Sequence, residues 1–233
     1  MVNSIKKPRK SDSAYEGLRS SIIRAELPPG SLIEEREMME RLDIGRTPLR
    51  EALQRLAQED LVLAVPQRGY FVSSTSASDF FQLNEFREHS EVLACRNAAV
   101  RITDAQLAAL KDILDEARAG VAARIMETEW HLGIDERVHK LIAEASGNRY
   151  LVQALNRLYA LSVRSLYVAR VPVTLIYDEL ENFDAIYAAL AAHDPEAAEQ
   201  AIRRHLDVPA VQSVPAGKRG PLSSGNPQAA DQS

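Results

Sequence analysis

The spacing of apolar positions divides the chain into a front part of mixed structure and a rear part made only of helices. In the front part, apolar residues recur every three or four positions, which predicts helices. The stretches concerned are 13–25, 34–42 and 44–60. The pattern then changes to short β-prone runs on either side of 66–69, which predicts a two-stranded hairpin. The helical period returns over 80–207, so the chain is predicted to be mainly α.

Composition sets the limits of these parts. Residues 1–11 are polar and basic and predict a flexible arm, followed by a first domain at 12–73. Small polar residues at 74–79 predict a linker to an all-α bundle at 80–207. Residues 208–233 are rich in Pro, Gly, Ser and Gln and lack periodicity, which predicts a disordered tail.

The most informative stretch is the third helix, 44–60, which reads IGRTPLREALQRLAQED. Its apolar residues share one face, which predicts burial on that side. Thr47 is expected to cap the helix with its hydroxyl, and Pro48 suits the first helical position. Arg46, Thr47 and Arg50 lie at the N-terminal end of the opposite side. Arginine can bond a guanine edge twice, and arginine and threonine can bind phosphates, so this end suits a major groove.

The flanks of this helix decide between DNA binding and an ordinary amphipathic helix with a basic face. The helix at 34–42, a tight turn at 43–45 and the basic helix form a helix-turn-helix arrangement. The hairpin follows directly, and its tip carries Arg68 beside Gly69, where backbone can approach a phosphate or the minor groove. A plain amphipathic helix does not explain this hairpin, so a winged helix-turn-helix is predicted: three helices plus a hairpin wing.

The run 28–72 resembles the N-terminal domain of the GntR family of bacterial transcription regulators. It shares a Pro-Gly pair, an Arg-Thr-Pro-x-Arg-Glu-Ala-Leu helix and a hairpin with a glycine near its tip. Gly45 stands where a serine is common, which removes one phosphate contact, and Asp60 stands where a glycine is usual, which changes how the helix ends. The resemblance implies that double-stranded operator DNA is contacted by Arg36, Arg46, Thr47, Arg50 and Gly69.

The rear part carries a candidate site for a metal ion. Asp135 and His139 lie four residues apart and share one helix face, and His205 on the last helix is expected to meet them across the bundle. Carboxylate and neutral imidazole are good ligands for a divalent cation. Taken alone, an aspartate and a histidine at this spacing also fit an ordinary solvated pair. A break in this helix is expected near Gly133.

The segments DERVHKLIAEASGN and AAEQAIRRHL resemble the FCD ligand-binding domain that follows the GntR domain in the FadR subfamily. The resemblance implies one divalent cation, zinc first, held by Asp135, His139 and His205. Where the family has a further histidine, this chain has Phe183, beside Asn182. Two interpretations stay open: three ligands completed by a water or an effector oxygen, or a polar pocket that has lost its metal.

The same resemblance implies a small carboxylate effector, because a cation and an arginine both match a compact anion. Arg87 stands where the FCD pattern has a pocket arginine, although it also suits a surface pair with Glu91 four residues on. Arg164 and Tyr167 are expected to face the pocket from a long helix. The predicted effector-binding residues are Arg87, Asp135, His139, Arg164 and His205.

Composition excludes other classes. The chain is 45% hydrophobic and 26% charged, and no apolar run approaches the ~18 residues that cross a bilayer. The basic N-terminus has no apolar stretch behind it, so no signal peptide is expected, and the single Cys95 excludes an internal disulfide, which favours the cytoplasm. The first 72 residues hold 12 basic and 11 acidic side chains, whereas the remainder carries a net charge of −6, so only the front part is expected to touch DNA.

These features predict a homodimeric transcriptional regulator, more often a repressor, whose operator binding responds to a small organic acid. It is predicted not to be an enzyme. One alternative is a regulator whose rear domain only dimerises. The other is a metal-dependent hydrolase using Asp135, His139 and His205 on a bound water, which is disfavoured because no separate base or nucleophile is evident.

Overall fold

The computed structural model describes residues 9–171 and 180–207, which form nine helices and one three-stranded sheet. The front elements are α1 (Lys10–Ile23), β1 (Leu32–Ile33), α2 (Glu35–Leu42), α3 (Arg46–Gln58), β2 (Val62–Val65) and β3 (Gly69–Val72). The rear elements are α4 (Ala77–Arg101), α5 (Asp104–Ala122), α6 (Thr128–Ala145), α7 (Arg149–Ala169), α8 (Leu180–Ala191) and α9 (Pro195–Leu206). The predicted class is confirmed: a winged helix-turn-helix precedes a helical bundle. Most of the predicted arm and all of the predicted tail lie outside the described residues.

The sheet contains one strand more than the predicted hairpin. Strands β2 and β3 pair antiparallel, with Val65 opposite Gly69, and β1 adds to the free edge of β3 with Ile33 opposite Tyr70. The N–H of Val72 also bonds to the carbonyl of Ser31, 2.9 Å away. A two-residue strand is too short to show the alternation of apolar and polar residues that marks a strand. Strand β1 is therefore recognisable only from its pairing with β3.

The apolar face predicted for α3 forms the centre of the front domain. Leu49, Leu53 and Leu56 are fully buried, and they pack against Leu18 and Ile22 of α1. Burying a leucine side chain stabilises a fold by about 1.5–3 kcal/mol, so this face anchors the exposed side of the same helix.

The start of α3 differs from the prediction. Gly45 is the N-cap residue, and Thr47 and Pro48 are the second and third helical residues, so Thr47 does not cap the helix. The reason is the turn: Asp43 ends α2 in the left-handed region at φ 49°, which leaves room for only two residues before α3 begins. No side chain caps α3, so its first backbone N–H groups are available to an anion.

Two helices begin earlier than predicted. Lys10 and Ser11, assigned to the basic arm, belong to α1, and the Lys10 ammonium donates to the carbonyl of Asp43 at 3.0 Å. Residues 77–79 of the predicted linker belong to α4, because Ser76 and Asp79 cap each other's backbone N–H groups at 3.0 and 3.1 Å. This reciprocal capping box was readable in the sequence and was missed.

The helix break expected near Gly133 is absent, since α6 runs without interruption from Thr128 to Ala145. A side chain at position 133 would meet nothing within 4 Å, so this glycine serves no close packing. One glycine inside a helix costs only about 1 kcal/mol relative to alanine, which the packing of α6 offsets.

Helix α4 lies at the centre of the rear domain. It contacts α6, α7, α8 and α9, and α5 closes the bundle against α6 and α8. The bundle core includes Cys95, Ala98, Leu110, Val138, Ile142, Ile186 and Ile202. Four helices therefore converge on α4. Its buried polar residues Arg87 and Glu91 contact each other in the interior of the bundle.

The two domains touch mainly through α1 and α7. Leu161 of α7 packs against the front core, and Ile23 of α1 packs against a rear cluster. Arg157 of α7 also forms an ion pair with Asp60, which lies between α3 and β2. Helix α7 therefore belongs to both domains. Along the described residues, none of the helices combines the length and apolarity that a membrane crossing needs.

The buried face of α3 generates a stability prediction. Leu53→Ala is expected to lower the free energy of unfolding by about 2–5 kcal/mol, because it leaves a cavity under α3. Urea unfolding followed by circular dichroism measures this loss. The matched control is Leu63→Ala on the exposed side of β2, which should leave the midpoint unchanged. Equal losses in both variants would contradict the assignment of the core.

Candidate functional site

The N-terminal end of α3 presents the predicted DNA-contacting residues to solvent. Arg46, Thr47 and Arg50 are all exposed. Glu35 of α2 holds the two arginines on one side: it accepts two hydrogen bonds from Arg50, each 3.1 Å, and lies 4.0 Å from Nε of Arg46. These hydrogen bonds raise the pKa of Arg50. The structure therefore brings three of the five predicted DNA-contacting residues together.

The other two lie on the flanks of this surface. Arg36 is exposed on α2 and pairs with Glu40 one turn on, at 3.1 Å. Gly69 opens β3 at φ 97°, a conformation that side chains disfavour, so the wing requires glycine here. Among the described residues, no hydrogen bond or ion pair joins either of them to the arginines of α3.

In the rear domain, the three predicted metal ligands meet in the interior. Asp135 and His139 come from α6 and His205 from α9, and all three are buried. Asp135 Oδ1 lies 3.4 Å from Nε2 of His139 and 3.3 Å from Nε2 of His205, and the two nitrogens are 2.9 Å apart. Packing of the bundle therefore brings His139 and His205, which are 66 residues apart along the chain, into direct contact.

Two further residues hold these ligands, and sequence reasoning did not assign them to the site. Glu91 of α4 places Oε1 3.0 Å from Nδ1 of His139, and the Tyr159 hydroxyl of α7 donates to Oδ2 of Asp135 at 2.8 Å. A carboxylate behind a histidine fixes the ring orientation at metal sites. Glu91 is followed along α4 by the apolar residues Val92, Leu93, Ala94 and Cys95, and a charge beside such a run was the missed signal.

Arg87 joins the same cluster. Its Nε donates to Oε1 of Glu91 at 3.3 Å, and its Nη2 lies 3.3 Å from Nε2 of His139. The pair with Glu91 exists as the alternative interpretation expected, but it is buried rather than exposed. The predicted pocket arginine therefore does face the predicted ligands.

Arg164 does not face this centre, contrary to the expectation that it lines the pocket. Arg164 is buried at the domain junction, where Nη2 donates to the carbonyl of Ser73 at 2.5 Å and burial lowers its pKa to about 10. Tyr167 packs against the apolar cluster formed by Leu132, Tyr159 and Val163. Five residues beyond Tyr159, a side chain points about 140° away around the helix axis, which explains the position of Arg164.

The buried acidic and basic side chains of this cluster shift one another's pKa. Burial alone would raise the pKa of Glu91, but the charges of His139 and Arg87 outweigh it and lower the pKa. Burial alone would lower the pKa of His139, but Glu91 and Asp135 raise it to about 9. The pKa of His205 is lowered by burial and by its charged neighbour His139. The metal-free cluster therefore carries its proton on His139 and leaves His205 neutral.

The donor set fits a small divalent cation. Ligand atoms around a tetrahedral zinc at about 2.0–2.1 Å lie roughly 3.3 Å apart, close to the separations found here. Oδ1 of Asp135 is buried and lies 3.3 and 3.4 Å from the two histidine nitrogens, a position from which one cation could reach all three atoms. Phe183 lies against His205, with ring centroids 4.6 Å apart, so the chain offers three donors where a fourth was expected.

Little free space remains beside these donors. The volume next to His139 is about 10 Å³, bounded by Glu136, Lys140, Asn156 and Tyr159. Glu136, Lys140 and Asn156 also line a neighbouring cleft of about 860 Å³ between α1, α3, α6 and α7. A cavity of ~10–15 Å³ holds about one water molecule, so a carboxylate can enter only when the surrounding side chains move apart.

Comparison with known proteins decides the family. Residues 10–72 match the family described as "Bacterial regulatory proteins, gntR family", and residues 82–208 match the FCD domain. The chain belongs to the GntR family and carries an FCD domain. As in its relatives, this architecture is that of a transcriptional regulator and not of an enzyme, which excludes the hydrolase alternative.

Two relatives from Escherichia coli (strain K12) show how far the similarity of this GntR protein extends. The HTH-type transcriptional repressor GlaR is 30% identical over 212 residues, covering 87% of this chain and 96% of that protein. The repressor RspR is 28% identical over 196 residues, covering 82% and 83%.

Solved structures show the same fold. E. coli McbR/YncC superposes with a TM-score of 0.75 at 20% identity, covering 86% of this chain and 94% of that one. A putative GntR regulator from Rhodococcus sp. RHA1 gives 0.67 at 25% identity, covering 88% and 97%. The front and rear domains of this GntR protein therefore occur together in known structures.

The buried cluster generates a second prediction. Arg87→Met removes the partner of Glu91 and leaves its carboxylate buried, which is expected to cost about 3–5 kcal/mol of unfolding free energy. The control is Arg96→Met, also on α4, because Arg96 makes surface ion pairs with Glu196 and Glu199. Urea unfolding of both variants should show a large loss for Arg87→Met and a small one for Arg96→Met, and the reverse order would contradict the buried pair.

Proposed function

We propose that the protein is a homodimeric repressor, acting in the cytoplasm, whose release from operator DNA is controlled by a small carboxylate bound near a divalent cation. The observation that carries the proposal is the meeting of Asp135, His139, His205 and Arg87 inside the FCD domain of a GntR regulator. Its relatives GlaR and RspR are named as repressors, which supports the direction of control.

On the DNA side, Arg46, Thr47 and Arg50 enter the major groove, and Arg36 and Gly69 contact the backbone beside it. The uncapped N–H groups of α3 point at the same end and favour a phosphate. A dimer places two such helices on half-sites about 34 Å apart, which predicts a pseudo-palindromic operator. In the free protein, Glu35 occupies Arg50, so operator binding exchanges a carboxylate partner for DNA.

Replacing Arg50 tests this interface. Arg50→Ala is expected to weaken operator binding by about 5- to 150-fold, the range for losing one bidentate contact with a guanine. Arg118→Ala, which removes an exposed arginine from the rear domain, is the matched control and should bind as the wild type does. Fluorescence anisotropy with operator DNA at fixed salt measures both. Unchanged affinity in Arg50→Ala would remove Arg50 from the reading surface.

On the effector side, three protein donors leave a position for an effector oxygen on the cation. A bound cation supplies a Lewis acid for the carboxylate, and Arg87, next to His139, donates to its second oxygen. The carboxylate then competes with Glu91 for Arg87. Zinc is the first candidate because it favours imidazole and carboxylate ligands in a tetrahedral set. Arg164 has no part in this binding mode.

Position 183 tests the cation. Elemental analysis of protein purified without added metal is expected to find one cation per chain, lost in His139→Ala. Phe183→His restores a fourth donor beside His205 and should tighten zinc binding at least tenfold in a chelator competition, because a further ligand adds a metal bond. Phe183→Leu, which adds no donor, is the control. No cation in the wild type or in Phe183→His would refute the metal centre.

Thermal unfolding with a panel of small carboxylates tests the effector separately. A ligand that binds only the folded protein raises Tm, and the wild type should respond where Arg87→Met does not. A rear domain that only dimerises gives no shift with any of them. The absence of any Tm shift would overturn the proposed effector control, but it would not contradict operator binding.

A further inference from the structure

Arg164 of α7 is a buried charge that no neighbouring charge offsets. The residue is only 1% exposed, and no carboxylate of the described residues forms an ion pair with it. Its Nη2 donates to the carbonyl of Ser73, but Nε and Nη1, both buried, have no hydrogen-bond partner. Burial alone lowers the pKa of Arg164 to about 10, so the guanidinium stays charged at neutral pH. A buried cation without a counter-charge is costly, and the arrangement seen in the structure carries that cost.

The buried charges of the effector site are treated differently. Arg87 pairs with Glu91 at 3.3 Å, and Asp135 lies 3.4 Å from His139. The same fold therefore compensates charges in its interior where it needs a fixed structure. Unfavourable local features that persist in a protein concentrate where the protein changes shape, because only the surrounding structure holds them in place. Arg164 is such a feature.

The hydrogen bond from Arg164 joins the two domains. The N–H of Ser73 donates to the carbonyl of Leu61 at 3.1 Å, so Ser73 is fixed to the sheet of the front domain. Arg164 belongs to α7 of the rear domain. Residues 74–76 follow Ser73 and connect β3 to α4. Arg164 therefore lies where the front domain would turn relative to the rear domain, directly before the connecting segment.

The other contacts across this junction include ion pairs between partly exposed side chains. Arg19 of α1 lies 3.8 Å from Glu136 of α6, and Arg157 of α7 pairs with Asp60. Such pairs add little stability in water, and Leu161 adds an apolar contact to the front core. Two clefts, of about 860 and 360 Å³, lie between α1 and the helices α6 and α7. An interface of this kind allows domains to move relative to one another.

We propose that Arg164 keeps the domain junction poised between two arrangements: the closed one seen here, with the guanidinium buried against Ser73, and an open one with the guanidinium in water. Opening breaks the contacts across the junction, but it returns a buried charge to solvent, so the two arrangements lie close in free energy. The inference rests on the proposed function in one respect, since control of operator binding needs two arrangements. It names the residue that sets the balance between them.

Helix α7 connects this balance to the effector site. The hydroxyl of Tyr159, five residues before Arg164, donates to Asp135 of the predicted metal ligands. A ligand that binds at Asp135 and favours one position of α7 therefore favours one arrangement of the junction. The coupling free energy is the difference between its affinities for the two arrangements.

Removing the charge tests the balance. Methionine reaches about as far as the stem of arginine without its charge, so Arg164→Met fills the site and removes the buried cation. It should raise Tm by about 3 °C or more, because an apolar side chain in place of an uncompensated buried charge stabilises the closed form. Arg164→Lys retains the charge, is the matched control and should not raise Tm. If Arg164 only held Ser73 in place, both variants would lower Tm, and that result would overturn the proposal.

Limited proteolysis measures opening directly. Subtilisin cleaves extended segments that come free of the structure, so cutting within residues 73–77 follows the population of the open form. Mass spectrometry locates these cuts. Arg164→Met should slow them at least fivefold. Arg157→Met, which loses an exposed ion pair of the same helix, is the control and should not slow them. Equal rates in the wild type and Arg164→Met would count against an open form controlled by Arg164.

Operator binding separates this inference from the proposed function. Arg164→Met should change the operator Kd at least threefold in fluorescence anisotropy, and the direction identifies the arrangement that fits the two half-sites. A stabilised, protease-resistant variant with an unchanged Kd refutes control through the junction. A lowered Tm or unchanged cleavage in Arg164→Met, with operator binding retained by the wild type, overturns the role of Arg164 and leaves the repressor standing. A wild type that binds no operator DNA refutes the repressor, whereas Tm and cleavage still decide the role of Arg164.

Discussion

The rear domain is organised by the requirement that buried charges cancel. Glu91 and Asp135 place two carboxylates in its interior, and Arg87 and a protonated His139 oppose them. Removing any one of the four leaves an uncompensated charge, which costs several kcal/mol in a setting of low polarity. Because these residues come from α4 and α6, with His205 supplied by α9, the cluster fixes how three helices lie against one another.

Helix α7 connects this cluster to the DNA-binding domain. Tyr159 bonds to Asp135, Leu161 packs into the front core, and Arg164 donates to Ser73 at the end of the wing. These contacts fall within two turns of one helix, so α7 links the buried cluster directly to the front domain. A ligand alters operator affinity only through a difference between two arrangements, and α7 is the element that both sites share.

The sequence predicted features that repeat locally and missed those that depend on distant packing. The apolar period of α3 predicted its buried face, and the four-residue spacing of Asp135 and His139 predicted a shared face. His205 lies 66 residues from His139, so its place on the last helix only suggested that it could meet them, and the family resemblance assigned it as a ligand. Arg164 was misplaced because the rotation of α7 about its axis is set by packing against both domains. Glu91, a charge beside the apolar run 92–95 of α4, was readable in the sequence.

Charge balance also explains why the proposed effector is an anion. Without a cation, two carboxylates face one arginine and one imidazolium, and the cluster is neutral. A divalent cation held by Asp135, His139 and His205 would displace the proton of His139, because a metal-bound imidazole is neutral, and the cluster would then carry one net positive charge. Phe183 does not change this sum, and neither would a neutral histidine in its place. A single carboxylate would return the interior to neutrality. Because an uncompensated charge is costly in apolar surroundings, a bound cation would favour the binding of a small organic acid.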